Sequence, residues 1–277
     1  MPPASANLRY QSPLEQVTQL IKTQQFYWFL GHVFAILFFV VSLITGFFRP
    51  SSSLHYYRFS LLSIIVTYLI VIKQIYFKTR FNFATSGARL LRDENVQYLS
   101  LALVLYLSSF VIGQTGSSLY SFIIFAVFHT LTYFQNHLLP VFVGELATQQ
   151  RISGAITNFT SKFNQPALFA AANAEIILLL ITGIQLIPSA LFLLYKWNLG
   201  FFAVQVFVFA TIVVFNKLRF DSNQYTKTVV EQMDLKVSQT LVQLNRPQLS
   251  QVYHNIRNNA IKYLSLIQLP KDASKNK

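Results

Sequence analysis

Residues 26–48, Phe26 to Phe48, read FYWFLGHVFAILFFVVSLITGFF, and this stretch decides the fold. It holds no aspartate, glutamate, lysine or arginine, and His32 is its one basic side chain. At about 1.5 Å per residue, about 23 helical residues cover a hydrocarbon layer roughly 30 Å thick. A soluble core would scatter its apolar residues at helical or strand spacing, so an unbroken block of this length reads as a membrane span.

Working outward, five more blocks follow: Tyr56 to Phe77, Val96 to Gly113, Ser118 to Leu139, Ala167 to Ile187 and Trp197 to Phe215. Each is about 18 to 23 residues long, enough to span. The third is the shortest, and the fifth contains Asn173, Glu175 and Gln185, so either also fits a re-entrant or interfacial element. The expected fold is therefore an all-α polytopic membrane protein with four to six transmembrane or hairpin helices. Composition agrees, with 53% hydrophobic and 11% charged residues, against about 25% charged in a water-soluble protein. The expected organisation is an N-terminal arm over residues 1–25, a helical membrane domain over 26–215 and a C-terminal tail over 216–277. The first block follows a polar arm, is longer than a signal-peptide core and lacks a small-x-small cleavage site, so it is expected to be an anchor. The chain has no cysteine, which excludes disulfides and thiolate metal sites.

A net charge of +13 raises the question of nucleic acid, but the placement of the cations answers it. With a cytosolic N-terminus and six crossings, 19 lysines and arginines fall on the cytosolic side and only Arg49, Arg58 and Lys196 on the far side. Retention of positive loops in the cytosol accounts for that bias. Nucleic-acid binding is not needed, and no stacking-aromatic motif or zinc spacing accompanies the lysines. Both termini are thus expected in the cytosol, with tight far-side connections at Arg49 to His55, Gln114 to Ser117 and Pro188 to Lys196. The sequon Asn158-Phe159-Thr160 is expected in a cytosolic loop, unglycosylated.

Both ends carry amphipathic patterns. Ser12, Pro13, Leu14 and Glu15 form a capping-box start for a short helix whose Leu14, Val17, Leu20 and Ile21 share a face. In the tail, a helix beginning at Pro247 places Leu249, Val252, Tyr253, Ile256, Ala260, Tyr263, Leu264 and Ile267 on one stripe. Such a helix can lie among lipid headgroups with its stripe in the acyl boundary. At about 1.5 kcal/mol per large side chain, six or seven give roughly 10 kcal/mol gross. Ordering nearly twenty residues removes much of that gain, so binding should be marginal and reversible. Packing against the rest of the chain or a partner is the competing reading. Val230, Met233, Val237, Leu241 and Leu244 outline a second helix of this kind.

Ionisable and amide side chains inside apolar blocks are expensive there and are candidate functional groups. Glu175, His129 and Asn173 are the chief ones. Counted from the block ends, Glu175 and His129 have similar depths and are placed to pair, either as a proton relay of a small transporter or channel or as a structural hydrogen bond. No histidine–carboxylate spacing fits a metal site, and no P-loop, Gly-x-Ser-x-Gly or paired acidic motif is present, so neither enzyme activity nor a cofactor is expected.

Several stretches together resemble the transmembrane protein 33 family, in its branch of fungal pore-membrane nucleoporins and tetra-spanning endoplasmic-reticulum proteins. They are Phe125-Ala-Val-Phe-His129-Thr-Leu-Thr-Tyr133, Asn173-Ala-Glu175, Lys217-Leu-Arg219-Phe-Asp221-Ser222 and the tail from Tyr225 to Val237. The resemblance implies residence in the endoplasmic reticulum and nuclear envelope, work alongside reticulon-type proteins in membrane curvature, and a part in nuclear pore assembly or distribution. It also implies a lipid-facing stripe from Leu249 to Ile267, with Arg257 and Lys262 as contacts for headgroups or a nuclear import receptor. Members are commonly described with four spans, so two of the six blocks would be incomplete crossings. An adaptor subunit of a larger membrane complex is a further reading compatible with scaffolding.

Overall fold

The computed structural model describes residues 13–77 and 89–268. Among these the chain is helical throughout, without strands. Helix α1 (Pro13–Ile21) leads into α2 (Gln24–Phe48), where the Thr23 hydroxyl caps the first turn by accepting from the Phe26 amide at 3.2 Å. Ser12, the expected cap of α1, lies outside the described residues. A turn at Arg49 reverses the chain into α3 (Pro50–Tyr76), with proline in the first turn, where its missing N–H has no cost. Asp93 caps α4 (Glu94–Ile112), accepting from Asn95 N at 2.8 Å, and its other carboxylate oxygen takes the Tyr76 hydroxyl at 2.8 Å. The two ends of the intervening connection are thereby joined.

The fourth apolar block becomes α5 (Tyr120–Tyr133), a π-helical turn (Phe134–Leu138) and the short α6 (Leu139–Phe142), without a break. Pro140 explains the widening, because its ring would collide with the carbonyl of Asn136 in a regular α-helix. The chain responds by bonding Leu139 N to Phe134 O, five residues back.

Helix α7 (Leu146–Lys196) is the main departure from the sequence reading, since its 51 residues form one element. At about 1.5 Å per residue it is roughly 75 Å long, more than twice a hydrocarbon layer. The stretch expected as a loop with Asn158-Phe159-Thr160 is the polar first half of this helix, and the expected connection from Pro188 to Lys196 is its last turns. Pro166 and Pro188 lie inside it. Prolines end helices in water, but in an apolar layer the backbone keeps its helical bonds where no solvent can replace them. Trp197, with φ of +52°, and Asn198 make the turn into α8 (Leu199–Ser222), where Asn198 Oδ1 accepts from Phe201 N at 3.1 Å. Helix α8 continues past the expected boundary at Phe215. Two further helices close the described chain, α9 (Gln224–Gln243) and α10 (Pro247–Leu264).

Among the described residues, five helices, α2, α3, α4, α7 and α8, are long and apolar enough to cross a membrane. The α5–α6 run has the same role in the packing, because neighbours form a closed circuit: α2 on α3, α3 on α4, α4 on α8, α8 on α7, α7 on α5, and α5 back on α2. Tyr57, Leu61, Leu101, Leu105, Phe122 and Ile212 fill its centre. Outward-facing side chains are equally apolar, among them Leu37, Ile44, Leu107, Ile184 and Phe207, as hydrocarbon requires and water would not. Helices α2 and α3 approach closely because Gly31, Ala35, Ser42 and Gly46 present small side chains along one face. Ser60 donates to Ala35 O at 2.9 Å and Ser53 to Ser42 O at 2.8 Å across this contact.

Candidate functional site

Three polar arrangements stand out against this apolar frame. The deepest is at Glu175, in the third quarter of α7 and 1% exposed. Tyr98 of α4 donates its hydroxyl to Glu175 Oε1. Arg219 of α8, 3% exposed, brings Nε to 3.5 Å from Glu175 Oε2 and Nη1 to 2.8 Å from Glu94 Oε2. Both contacts are ion pairs, and the Nε contact is beyond ordinary hydrogen-bond length. The guanidinium also lies 5.2 Å from the centre of the Tyr98 ring. That ring stacks on Tyr68 of α3 and meets Phe122 and Phe125 of α5 and Phe215 of α8 edge-on. One carboxylate therefore ties α4, α7 and α8 together at the centre of an aromatic nest. A buried charge is tolerable only when paired in this way. Asn173, two residues earlier, donates to Phe169 O of its own helix at 2.8 Å and takes no part in the cluster.

Glu175 and His129 do not pair: no hydrogen bond or ion pair joins them. His129 instead packs its ring against Trp28 and His32 of α2, with centroids 5.0 Å away in each case. Together with Gln25, Gln74, Asn136 and His137 it lines a groove of about 290 Å³ between α2, α3 and α5. Gln25 lies in the first turn of α2 and Gln74 in the last turn of α3, while the His129 ring meets Trp28 and His32, one and two turns into α2. The expected pairing fails because the His129 ring turns toward α2 whereas Glu175 faces α4 and α8, and the α5–α6 run continues beyond His129 to Phe142. There, outside the apolar zone, Gln135 donates to Ser153 Oγ and Thr157 Oγ1 of the polar half of α7, both at 2.8 Å. Nothing in the sequence marks Tyr98 as a site residue, and Arg219 is within the stretch Lys217 to Ser222 without any sign of burial. Its distance of four residues beyond the apolar block concealed its burial.

The third arrangement joins the last two helices. Helix α9 packs on α7 through Tyr225, Val229, Val230 and Met233 against Phe169, Ala172 and Ile176, so this part of the second amphipathic helix is committed to the protein. Helix α10 rests on α9 alone among the main contacts and has no buried residue. Asp234 of α9 accepts from Tyr253 Oη at 2.6 Å and from Arg257 Nε at 2.9 Å. Tyr253 and Arg257, expected at lipid or a receptor, thus face α9. Leu249, Val252, Ile256 and Tyr263 remain more than half exposed on one side, at 52%, 54%, 62% and 64%. Leu264 is half-buried, Lys262 is exposed, and Ile267 falls beyond the helix end.

The Tyr253 hydrogen bond, seconded by Arg257, holds the Asp234 carboxyl below the usual aspartate value of 3.8. A depressed carboxyl stabilises the folded form above its unfolded value and loses that contribution as pH falls through the lower folded one. Protection of the α10 amides, meaning their exchange relative to an unstructured peptide at the same pH, is therefore expected to stay constant between about pH 7 and pH 5 and to fall only below the ordinary aspartate range. The Asp234→Asn variant should already exchange fast at neutral pH. A fall in the wild-type protection between about pH 6 and pH 5 would mean that a group other than Asp234 holds the helix.

Comparison with known proteins gives a consistent result. Residues 9–267 match the family model described as transmembrane protein 33/nucleoporin POM33. The chain is 33% identical to the pore and endoplasmic reticulum protein of 33 kDa of Saccharomyces cerevisiae, over 86% of this chain and 89% of that one. It is 29% identical to nucleoporin POM33 of Chaetomium thermophilum, over 98% and 95% of the two chains. Identity to tetra-spanning protein 1 of Schizosaccharomyces pombe is 26%, over 92% and 90%. No solved structure matches. The motifs around Glu175 and Arg219 that carry the resemblance are those that meet in the folded chain, and with a family match over nearly its whole length the protein belongs to the transmembrane protein 33/nucleoporin POM33 family.

Proposed function

We propose that this protein is a membrane-shaping scaffold of the endoplasmic reticulum and nuclear envelope that contributes to nuclear pore assembly or distribution. The observation carrying the proposal is α10: a helix held on one side by α9, with Leu249, Val252, Ile256 and Tyr263 left open on another. Relatives named for the pore membrane and the endoplasmic reticulum support the compartment. The excess of basic residues in the tail supports a cytosolic position for both chain ends.

In this reading the open stripe enters the cytosolic leaflet at the level of the headgroups, with Lys262 toward lipid phosphates. Attachment to α9 means that the helix is ordered before it meets lipid, so less of the roughly 1.5 kcal/mol per large side chain is lost to ordering than for a free peptide. A shallow helix adds area to one leaflet only, and unequal area favours bending. Reticulon-type proteins, pore components and an import receptor are the protein partners this reading assigns.

The test uses the full chain, reconstituted into vesicles of mixed diameter and counted vesicle by vesicle. Wild-type protein is expected to be several-fold denser in the smallest vesicles, and the Leu249→Asp, Ile256→Asp double variant to be spread evenly. Equal distributions for the two proteins would remove α10 from the mechanism and leave it as a surface for a protein partner.

A further inference from the structure

Arg58 of α3 and Arg219 of α8 are both drawn against neighbouring helices, and the fold provides for them differently. Arg219 faces the carboxylates of Glu175 and Glu94. Arg58 meets none among the described residues, because α2 and α3 contain no aspartate or glutamate and α4 has only Glu94, at its opposite end. We propose that Arg58 binds the phosphate of an anionic phospholipid at the end of the bundle that carries the α2–α3 turn.

The surroundings of the guanidinium are the first reason. Its Nε donates to Ser109 Oγ at 2.9 Å and Nη2 to Ser109 O at 2.7 Å, and the group lies 4.1 Å from the centre of the Phe110 ring. These partners are dipoles and a ring face, which leave the positive charge without a counter-ion. They also occupy only one edge of the group. Of its five N–H groups, the two on Nη1 and the second on Nη2 have no acceptor among the described residues. Arg58 is half-buried and none of its nitrogens is sealed off unpartnered, so this fork opens on the surface of the bundle. Two oxygens of one phosphate match it.

Level is the second reason. Ser109 belongs to the last turn of α4, so the guanidinium lies within about 5 Å of that helix end, although Arg58 itself is eight residues into α3. Helix side chains lean toward the N-terminus, which lets Arg58 reach that level. Lipid phosphates lie at the same boundary, just outside the hydrocarbon. Away from it, Leu62 and Val66 continue the Arg58 face of α3 at four-residue steps, and Leu107 lies one turn deeper than Phe110 on α4. All four are exposed, an apolar surface for the acyl chains of the bound lipid.

Charge selects the head. No described carboxylate is placed to receive the ammonium of choline or ethanolamine, and Arg49, in the turn before α3, adds a second positive charge at this end. Helices α9 and α10 continue from the opposite end, where Arg219 meets Glu94, so this site is separate from the α10 stripe.

The experiment is native mass spectrometry of the full-length protein in detergent, titrated with phosphatidylglycerol, phosphatidylcholine and diacylglycerol of the same acyl chains, and with glycerol phosphate as competitor. Phosphatidylglycerol is expected to bind at least about fivefold more tightly than the other two lipids. Arg58→Gln should bring it down to the phosphatidylcholine level, and Arg49→Gln should change it less than about twofold. The wild type supplies a second measurement, which stands even if Arg58→Gln does not fold. Equimolar phosphatidylglycerol with a photoreactive diazirine at the top of one chain should label residues 58–66 or 103–110, and excess phosphatidylglycerol, not phosphatidylcholine, should suppress the labelling. A preference that survives Arg58→Gln, or that Arg49→Gln removes equally, would place the recognition elsewhere, α10 included, and overturn the proposal. Equal binding of phosphatidylglycerol and phosphatidylcholine, labelling that avoids α3 and α4, or glycerol phosphate competing as well as the lipid, the mark of a site for soluble anions, would overturn it too.

Discussion

Replacing Arg219 with methionine is expected to destabilise the protein in detergent by about 3–5 kcal/mol, the cost of leaving a buried carboxylate without its cation. Glu175 is 1% exposed and cannot turn to solvent, and the Tyr98 hydroxyl alone does not neutralise it. The Glu175→Gln variant should lose less, because an amide accepts from Tyr98 and brings no charge. Combining Glu175→Gln with Arg219→Met should recover part of the loss, since the partner that needed the cation is gone. Thermal unfolding midpoints of the three variants decide the matter. Losses that simply add would mean that the two residues stabilise the bundle separately and that the link between α7 and α8 lies elsewhere.

The second large effect is expected at Gly31. A methyl group there would stand 2.4 Å from Thr67 Cγ2 and 3.4 Å from Ser63 O, and Thr67 is 1% exposed between the helices. Neither side has room, so Gly31→Ala should force α2 and α3 apart at a cost of about 1–3 kcal/mol, and Gly31→Leu should abolish the monodisperse folded species. The remedy is specific: Thr67→Ser removes the offending methyl and keeps the hydroxyl that donates to Ile64 O at 2.6 Å. In the Gly31→Ala, Thr67→Ser protein most of the lost stability should return. If Thr67→Ser gives no rescue, the helices are not as close at this point as the structure has them.

The membrane fold was legible because hydrocarbon imposes a length and a composition that blocks such as Phe26 to Phe48 meet without help from tertiary context. What was not legible came from the ends of those blocks. The block Ala167 to Ile187 is bounded by apolar composition, whereas α7 stays helical through the polar residues on either side and through Pro166 and Pro188, so its 51 residues divide in the sequence reading into a loop, a span and a connection. Pro140 widens a turn without ending the run. Burial of Arg219 was hidden for a related reason, because α8 stays helical beyond its apolar residues and turns that one cation inward. In the tail, periodicity found the stripe of α10. It could not tell that Tyr253 and Arg257, one turn apart, would be drawn off to Asp234, since a residue 19 and 23 positions earlier in sequence leaves no mark on a helical period.

A rod that is gripped at one end magnifies whatever moves the grip. The later half of α7 is clamped through Glu175 to α4 and α8, while its first 20 residues extend past the apolar zone alongside α5 and α6. That outer arm is about 30 Å long at 1.5 Å per residue, so rocking the clamped half by about 10° swings the far tip by roughly 5 Å. Thickening or thinning of the surrounding lipid, which changes the inclination of any spanning helix, is thereby converted into sideways travel of a polar surface well clear of the bilayer.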